Sequence, residues 1–90
     1  MKVRIKVESL DETVDVQDAT ALLNVIKAHA SKRAPLLVRP IIKSMSDLGF
    51  AAEAVKRANA ATGRSDPLPR SAQEFFEWAL AQGYMSVLSP

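Results

Sequence analysis

The sequence predicts an α+β domain: an N-terminal antiparallel β-hairpin and a short C-terminal strand, packed against a bundle of about four helices. Two observations carry that prediction. Apolar residues alternate with period two over residues 2–8 and again over 13–17, as in strands with one wet face. From residue 19 onward they recur at helical spacing in four blocks, punctuated by Pro and Gly, before a last apolar run at 84–88.

The hairpin spans residues 1–17. Val3, Ile5 and Val7 point one way, and Lys2, Arg4, Lys6 and Glu8 the other. Ser9-Leu10-Asp11-Glu12 has turn chemistry, and Val14 and Val16 resume the alternation. The cations then face Glu12 and Asp15 across the pair, at ~0.2–1 kcal/mol each. Asp18 is placed to cap a helix over 19–33 that carries Leu22, Leu23, Val25 and Ile26 on one stripe. His29 sits where that stripe meets the polar face and has no second ligand at metal spacing, so its expected role is structural or incidental. Lys32 and Arg33 complement the carbonyl end of the helix dipole.

Pro35 disfavours helical geometry at Ala34, and Pro40 does the same at Arg39. Leu36, Leu37 and Val38 therefore form either an extended crossing segment or a single helical turn. Pro40 suits the first position of a helix over 40–48, with Ile41, Ile42, Met45 and Leu48 on one face and Gly49 closing it. A third helix, 51–62, turns Ala54, Val55, Ala58 and Ala61 inward and ends at Gly63. Residues 64–70 form a loop. Ser71 with Glu74 is a capping box that opens a fourth helix over 71–82, nearly ringed by Phe75, Phe76, Trp78, Ala79 and Leu80. Gly83 caps it, and 84–88 is a strand able to join the hairpin.

Ninety residues suit a single domain, 1–90. The absence of cysteine excludes disulfides and thiol chemistry and fits a reducing compartment. The opening MKVRIKVE has no apolar signal region, and no apolar run nears the ~20 residues that span a bilayer. A cytoplasmic protein with no membrane partner is the expectation. There is no GxxxxGK[ST], GxGxxG, GxSxG or HExxH, and one histidine without cysteine offers no metal or haem site. Glu74 and Glu77 share a helix face, but capping explains the first and solvent the second. No catalytic residue, cofactor or metal is expected, and the chain reads as a non-enzyme.

Charge is unevenly placed. Residues 1–6 hold three cations and no acid, residues 7–18 five acids and no base, and residues 27–70 nine cations against three acids. Such asymmetry favours an anionic partner, or simply solvates helix faces.

Two resemblances bear on the helical part. Leu48-Gly49-Phe50, Thr62-Gly63 and Glu77-Trp78-Ala79-Leu80 make residues 40–82 resemble a ubiquitin-associated three-helix module. That resemblance implies a ubiquitin-contacting patch built from Leu48, Gly49, Phe50 and the end of the last helix. Asn59 departs from it, standing where the family usually has an apolar residue, and the Pro-rich loop is longer. The helix–Gly–helix of residues 40–62 resembles a helix-turn-helix, and SAQEFFEWALAQGYMSVL resembles the last helix and first wing strand of a winged-helix domain. Its reading helix would be 71–82, which has two Glu and no Lys or Arg.

The expected function is that of a small adaptor or regulator binding another protein, with Leu48, Phe50, Phe76, Trp78 and Tyr84 as contact candidates. The alternative is a nucleic-acid-binding accessory factor using Lys32, Arg33, Arg39, Lys43, Lys56, Arg57, Arg64 and Arg70. The apolar load of Phe75, Phe76, Trp78, Tyr84, Met85, Val87 and Leu88 serves a core, or equally a homodimer. An edge strand at either terminus would offer strand addition.

Overall fold

A computed structural model, describing residues 1–7 and 10–89, has the expected α+β architecture. Strands β1 (Lys2–Val7), β2 (Leu10–Asp15) and β3 (Met85–Ser89) form one antiparallel sheet in the order β2-β1-β3. The N-terminal strand is thus central, and the edges are β2 and β3, which corrects the expectation of an edge at the N-terminus. Val3 and Ile5 are fully buried because β1 has a neighbour on both sides and helices over one face.

The pairing of Val7 with Leu10 puts Leu10, Asp11 and Glu12 in β2, so they are strand rather than turn. Ser9 lies outside the described residues. The register keeps Asp15 opposite Lys2, as expected, but takes Glu12 away from the cations. Arg4 takes Asp11 in a two-point contact, Nε to Oδ1 at 2.9 Å and Nη2 to Oδ2 at 2.7 Å. Glu12 stands opposite Ile5, hence on the helix side of the sheet, and lies 2.8 Å from His29 Nε2. That contact gives His29 its structural role, tying its helix to the sheet edge.

The Arg4 guanidinium holds the Asp11 carboxyl below its ordinary value, chiefly through the hydrogen bond. A depressed carboxyl stabilises the fold above its unfolded pKa, and that contribution vanishes as pH falls through the lowered value. Urea midpoints of Asp11→Asn and the parent chain should therefore differ slightly at neutral pH and converge in acid. A gap that persists in acid contradicts the pairing.

The helices are α1 (Ala19–Arg33), α2 (Arg39–Ser44), α3 (Asp47–Thr62) and α4 (Ala72–Ala81). Asp18 caps α1 as expected, accepting from the Ala21 amide at 2.8 Å. The middle of the chain differs from expectation. The helix expected over 40–48 stops at Ser44, where Met45 turns extended, and the Ser46 hydroxyl accepts from the Gly49 amide at 3.0 Å. This cap starts α3 at Asp47, four residues early. Gly49 therefore lies in a first helical turn and not at a left-handed terminus, and a β-carbon there would meet Ser46 Oγ at 2.9 Å. Positive φ belongs to Gly63 and Gly83.

At α4 the Ser71 hydroxyl accepts from the Glu74 amide (3.1 Å), while Glu74 accepts from the Arg70 amide (2.9 Å), one residue before the cap. The helix ends in a Schellman arrangement, with Tyr84 N–H donating to Ala79 O and Gly83 N–H to Leu80 O. That reversal delivers the chain into β3. One core results, in which Val3 and Ile5 meet Leu22 and Leu23 of α1, Val55 of α3, and Phe75 and Phe76 of α4.

Asn59 has a clear job. Its amide donates to the Asp66 carbonyl (3.0 Å) and accepts from the Asp66 N–H (3.1 Å), clipping the 63–71 loop to α3. Trp78 Nε1 donates to the Asp66 carboxylate at 3.0 Å. Losing both amide bonds should make Asn59→Ala less stable by ~1–3 kcal/mol, read as a shift in the urea midpoint.

Candidate functional site

Pro35 begins a helical turn. The amides of Val38 and Arg39 both donate to Pro35 O, at 2.9 and 3.1 Å, and Ile42 N–H donates to Val38 O at 3.1 Å. Residues 35–44 are therefore one short helical run, and Arg39 is helical despite the proline after it. The guanidinium of Arg39 holds it there, donating to the terminal carbonyls of α1 at Ala34 (2.9 Å) and Lys32 (3.1 Å). Those bonds are charge-assisted and also complement the α1 dipole.

Helical spacing sorts this run into two faces. Val38 and Ile42 are half-buried. Leu36, Leu37, Pro40 and Ile41 are exposed, with Leu36 at 76%, Leu37 at 89% and Ile41 at 57%. No α2 residue is fully buried. Ser44 is the one polar residue on that outward face, and a face so largely apolar is the reverse of what a solvated helix needs.

Beside this corner, α1 and α2 enclose a cleft of about 370 Å³ lined by Asn24, Lys27, Ser31, Lys32, Arg39 and Lys43, with no acid among its walls. The Lys27 ammonium bonds the Met45 carbonyl and lies 3.4 Å from Asp47, which anchors α1 to the start of α3. Lys32 and Lys43 form no ion pair among the described residues. Ser31 is 5% exposed, and its hydroxyl has no hydrogen-bond partner among the described residues.

A second groove, about 490 Å³, opens between the sheet and the helices. Ile5, Ile26, Phe75, Trp78 and Tyr84 give it an apolar lining, and Arg33 and Arg57 also line it. Trp78 stacks on Phe75 with centroids 5.8 Å apart and meets Tyr84 at 5.5 Å.

The structure brings together only some of the residues singled out in the sequence. Trp78 and Tyr84 share the groove, Phe50 packs half-buried against the core, and Leu48 is exposed in the first turn of α3. Phe76 is 7% exposed and belongs to the core, so it presents no surface to a partner. Among the cations, Lys32, Arg39 and Lys43 converge on the cleft, whereas Arg33 and Arg57 line the other groove. Arg64 lies 3.4 Å from Asp66, and Lys56 and Arg70 line neither. Leu48-Gly49-Phe50 runs helical inside α3, so the glycine turn required by both the ubiquitin-associated and helix-turn-helix likenesses is absent there. Sequence reasoning missed the outward set Leu36, Leu37 and Ile41, although their i, i+1, i+5 spacing signals one face once residues 35–38 are helical.

No helix is long and apolar enough to cross a membrane, and no cluster of potential metal ligands occurs among the described residues. No family model matches the chain, and no curated protein or solved structure matches it.

Proposed function

We propose that this chain is a non-enzymatic protein-binding module that docks a partner on the corner formed by residues 35–44. The observation that carries this reading is the exposure of Leu36, Leu37 and Ile41 side by side on a helical run. Contiguous apolar surface on a small domain marks an interaction site, because water leaves it at a gain of roughly 25 cal/mol per Å². Lys32 and Lys43 flank that surface without ion pairs among the described residues, so the complementary partner carries an apolar centre with acids at its rim. The same cations disfavour a symmetric dimer across this corner, since a two-fold axis would set like charges face to face.

A photoreactive p-benzoylphenylalanine at position 37, activated in the cells that make the protein, tests this. The expected result is a discrete protein adduct that is missing when the group is placed at exposed position 73 on α4. Equal adducts from both positions, or none from 37, sink the reading.

The second reading is a nucleic-acid partner, supported by the convergence of Lys32, Arg39 and Lys43. It requires duplex binding whose logarithm falls with log salt at a slope of several units. The separation of the remaining candidate cations onto other surfaces weighs against it.

A further inference from the structure

We infer that the α1–α2 cleft is a subsite for a compact oxyanion of the phosphomonoester class. Two independent observations meet there. The first is charge. Lys32 and Lys43 have no ion pair among the described residues, and Arg39 spends two of its N–H groups on backbone carbonyls without meeting an acid. A guanidinium has five donors, so three remain. Lys27 is the exception, its charge shared with Asp47.

The second observation is Ser31. Ser31 lines the same cleft, and its buried hydroxyl bonds nothing among the described residues. A helical serine has an easy partner in the carbonyl four residues back, yet Ser31 Oγ does not use it. A buried donor left unmade is expensive, and an anion oxygen arriving among the cations would satisfy it. The lysine side chains that share the cleft are long and flexible enough to move for such a ligand.

The arrangement also sets the class of anion. The cations converge on one cleft of about 370 Å³ instead of running as a stripe along a face. A stripe suits a polymer backbone, with one charge per phosphodiester. Convergence suits a terminal phosphate, which holds close to two charges at neutral pH and three strong acceptors.

The test is a titration of the protein alone with inorganic phosphate at pH 7.5, followed by amide NMR against chloride of matched ionic strength. Saturable shifts confined to residues 24–32 and 39–43 are expected with phosphate only. Ser31→Ala should weaken binding about tenfold, the size of one hydrogen bond to a charged group, while the fold stays at least as stable. Lys32→Ala with Lys43→Ala, both exposed and safe for folding, should weaken it at least as much. A serine that serves packing alone would leave phosphate affinity unchanged in the first variant. Non-saturating shifts, equal shifts in chloride, or wild-type affinity in both variants overturn the assignment.

O-phosphoserine run in parallel separates the sources. Tighter binding than inorganic phosphate places the group on a peptide carrier, and equal binding assigns the free anion. A dinucleotide phosphodiester that outcompetes both overturns the monoester class. The titrated molecule is the chain alone, so failure here leaves the apolar docking face untouched.

Discussion

Replacing Leu22 with alanine should lower the unfolding free energy by about 3 kcal/mol, within the ~2–5 kcal/mol range of such deletions. Leu22 is 1% exposed and sits in the cluster that joins β1, α1, α3 and α4. Its loss removes the transfer free energy of the side chain and leaves a cavity that the short helices around it can only partly close. A chain of ninety residues has only about 5–13 kcal/mol in total, so a quarter or more of the stability goes. The melting temperature should fall by roughly 15 °C. Leu37→Ala is the matched control: the same chemistry at an 89% exposed position should change stability by less than ~0.5 kcal/mol. Circular dichroism melts of the two variants decide it, and similar losses in both would mean that residues 35–38 pack inside.

The second large effect concerns binding. Leu37→Glu should reduce affinity for the partner captured at position 37 by about 30- to 1,000-fold, the span of a central anchor worth ~2–4 kcal/mol. Folding should be unaffected, since the side chain is already in water. An acid here also lies in the field of the acids expected around the partner's apolar centre, so Leu37→Lys should lose distinctly less affinity than Leu37→Glu. Equal losses in the two variants would remove the charge complementarity and leave only the apolar contact. Isothermal titration with the identified partner gives both numbers.

The fold class was legible because its signals are local and repeat. Period-two alternation named the strands, and Asp18, Ser71 and Gly83 punctuated the helices where the structure has them. The hairpin register was harder. Ser9-Leu10-Asp11-Glu12 looks like turn chemistry, yet Leu10 pairs with Val7, and nothing in the polar run fixes where the chain reverses. From that one reading followed the misplacing of Glu12 on the cation face and the missing of Asp11 as the partner of Arg4, while Asp15 does stand opposite Lys2. At Gly49 the glycine is a good terminator in general, but Ser46 and Asp47 just upstream are a better start signal, and the cap prevailed.

The candidate site was the least legible part, for a physical reason. Leu36, Leu37 and Ile41 are the kind of residues that a core takes, and sequence pattern cannot tell a buried stripe from an unpartnered one. Their exposure depends on how α2 lies against α1, which rests on Arg39 reaching the α1 carbonyls and Lys27 reaching Met45. These are side-chain bonds to backbone carbonyls 5, 7 and 18 residues away, with no signature in residue spacing. The aromatic residues of α4 erred in the other direction: Phe76 looked available and is core, because α4 lies between α1, α3 and β3.

The most direct test of the docking corner is amide hydrogen exchange of the chain, free and bound to the partner captured at position 37. Protection gained on binding should centre on residues 36–44, with little change in α4 and the sheet. Protection that falls instead on residues 54–61 and 84–89, around the groove of Trp78 and Tyr84, would move the binding site there and contradict the assignment of the corner.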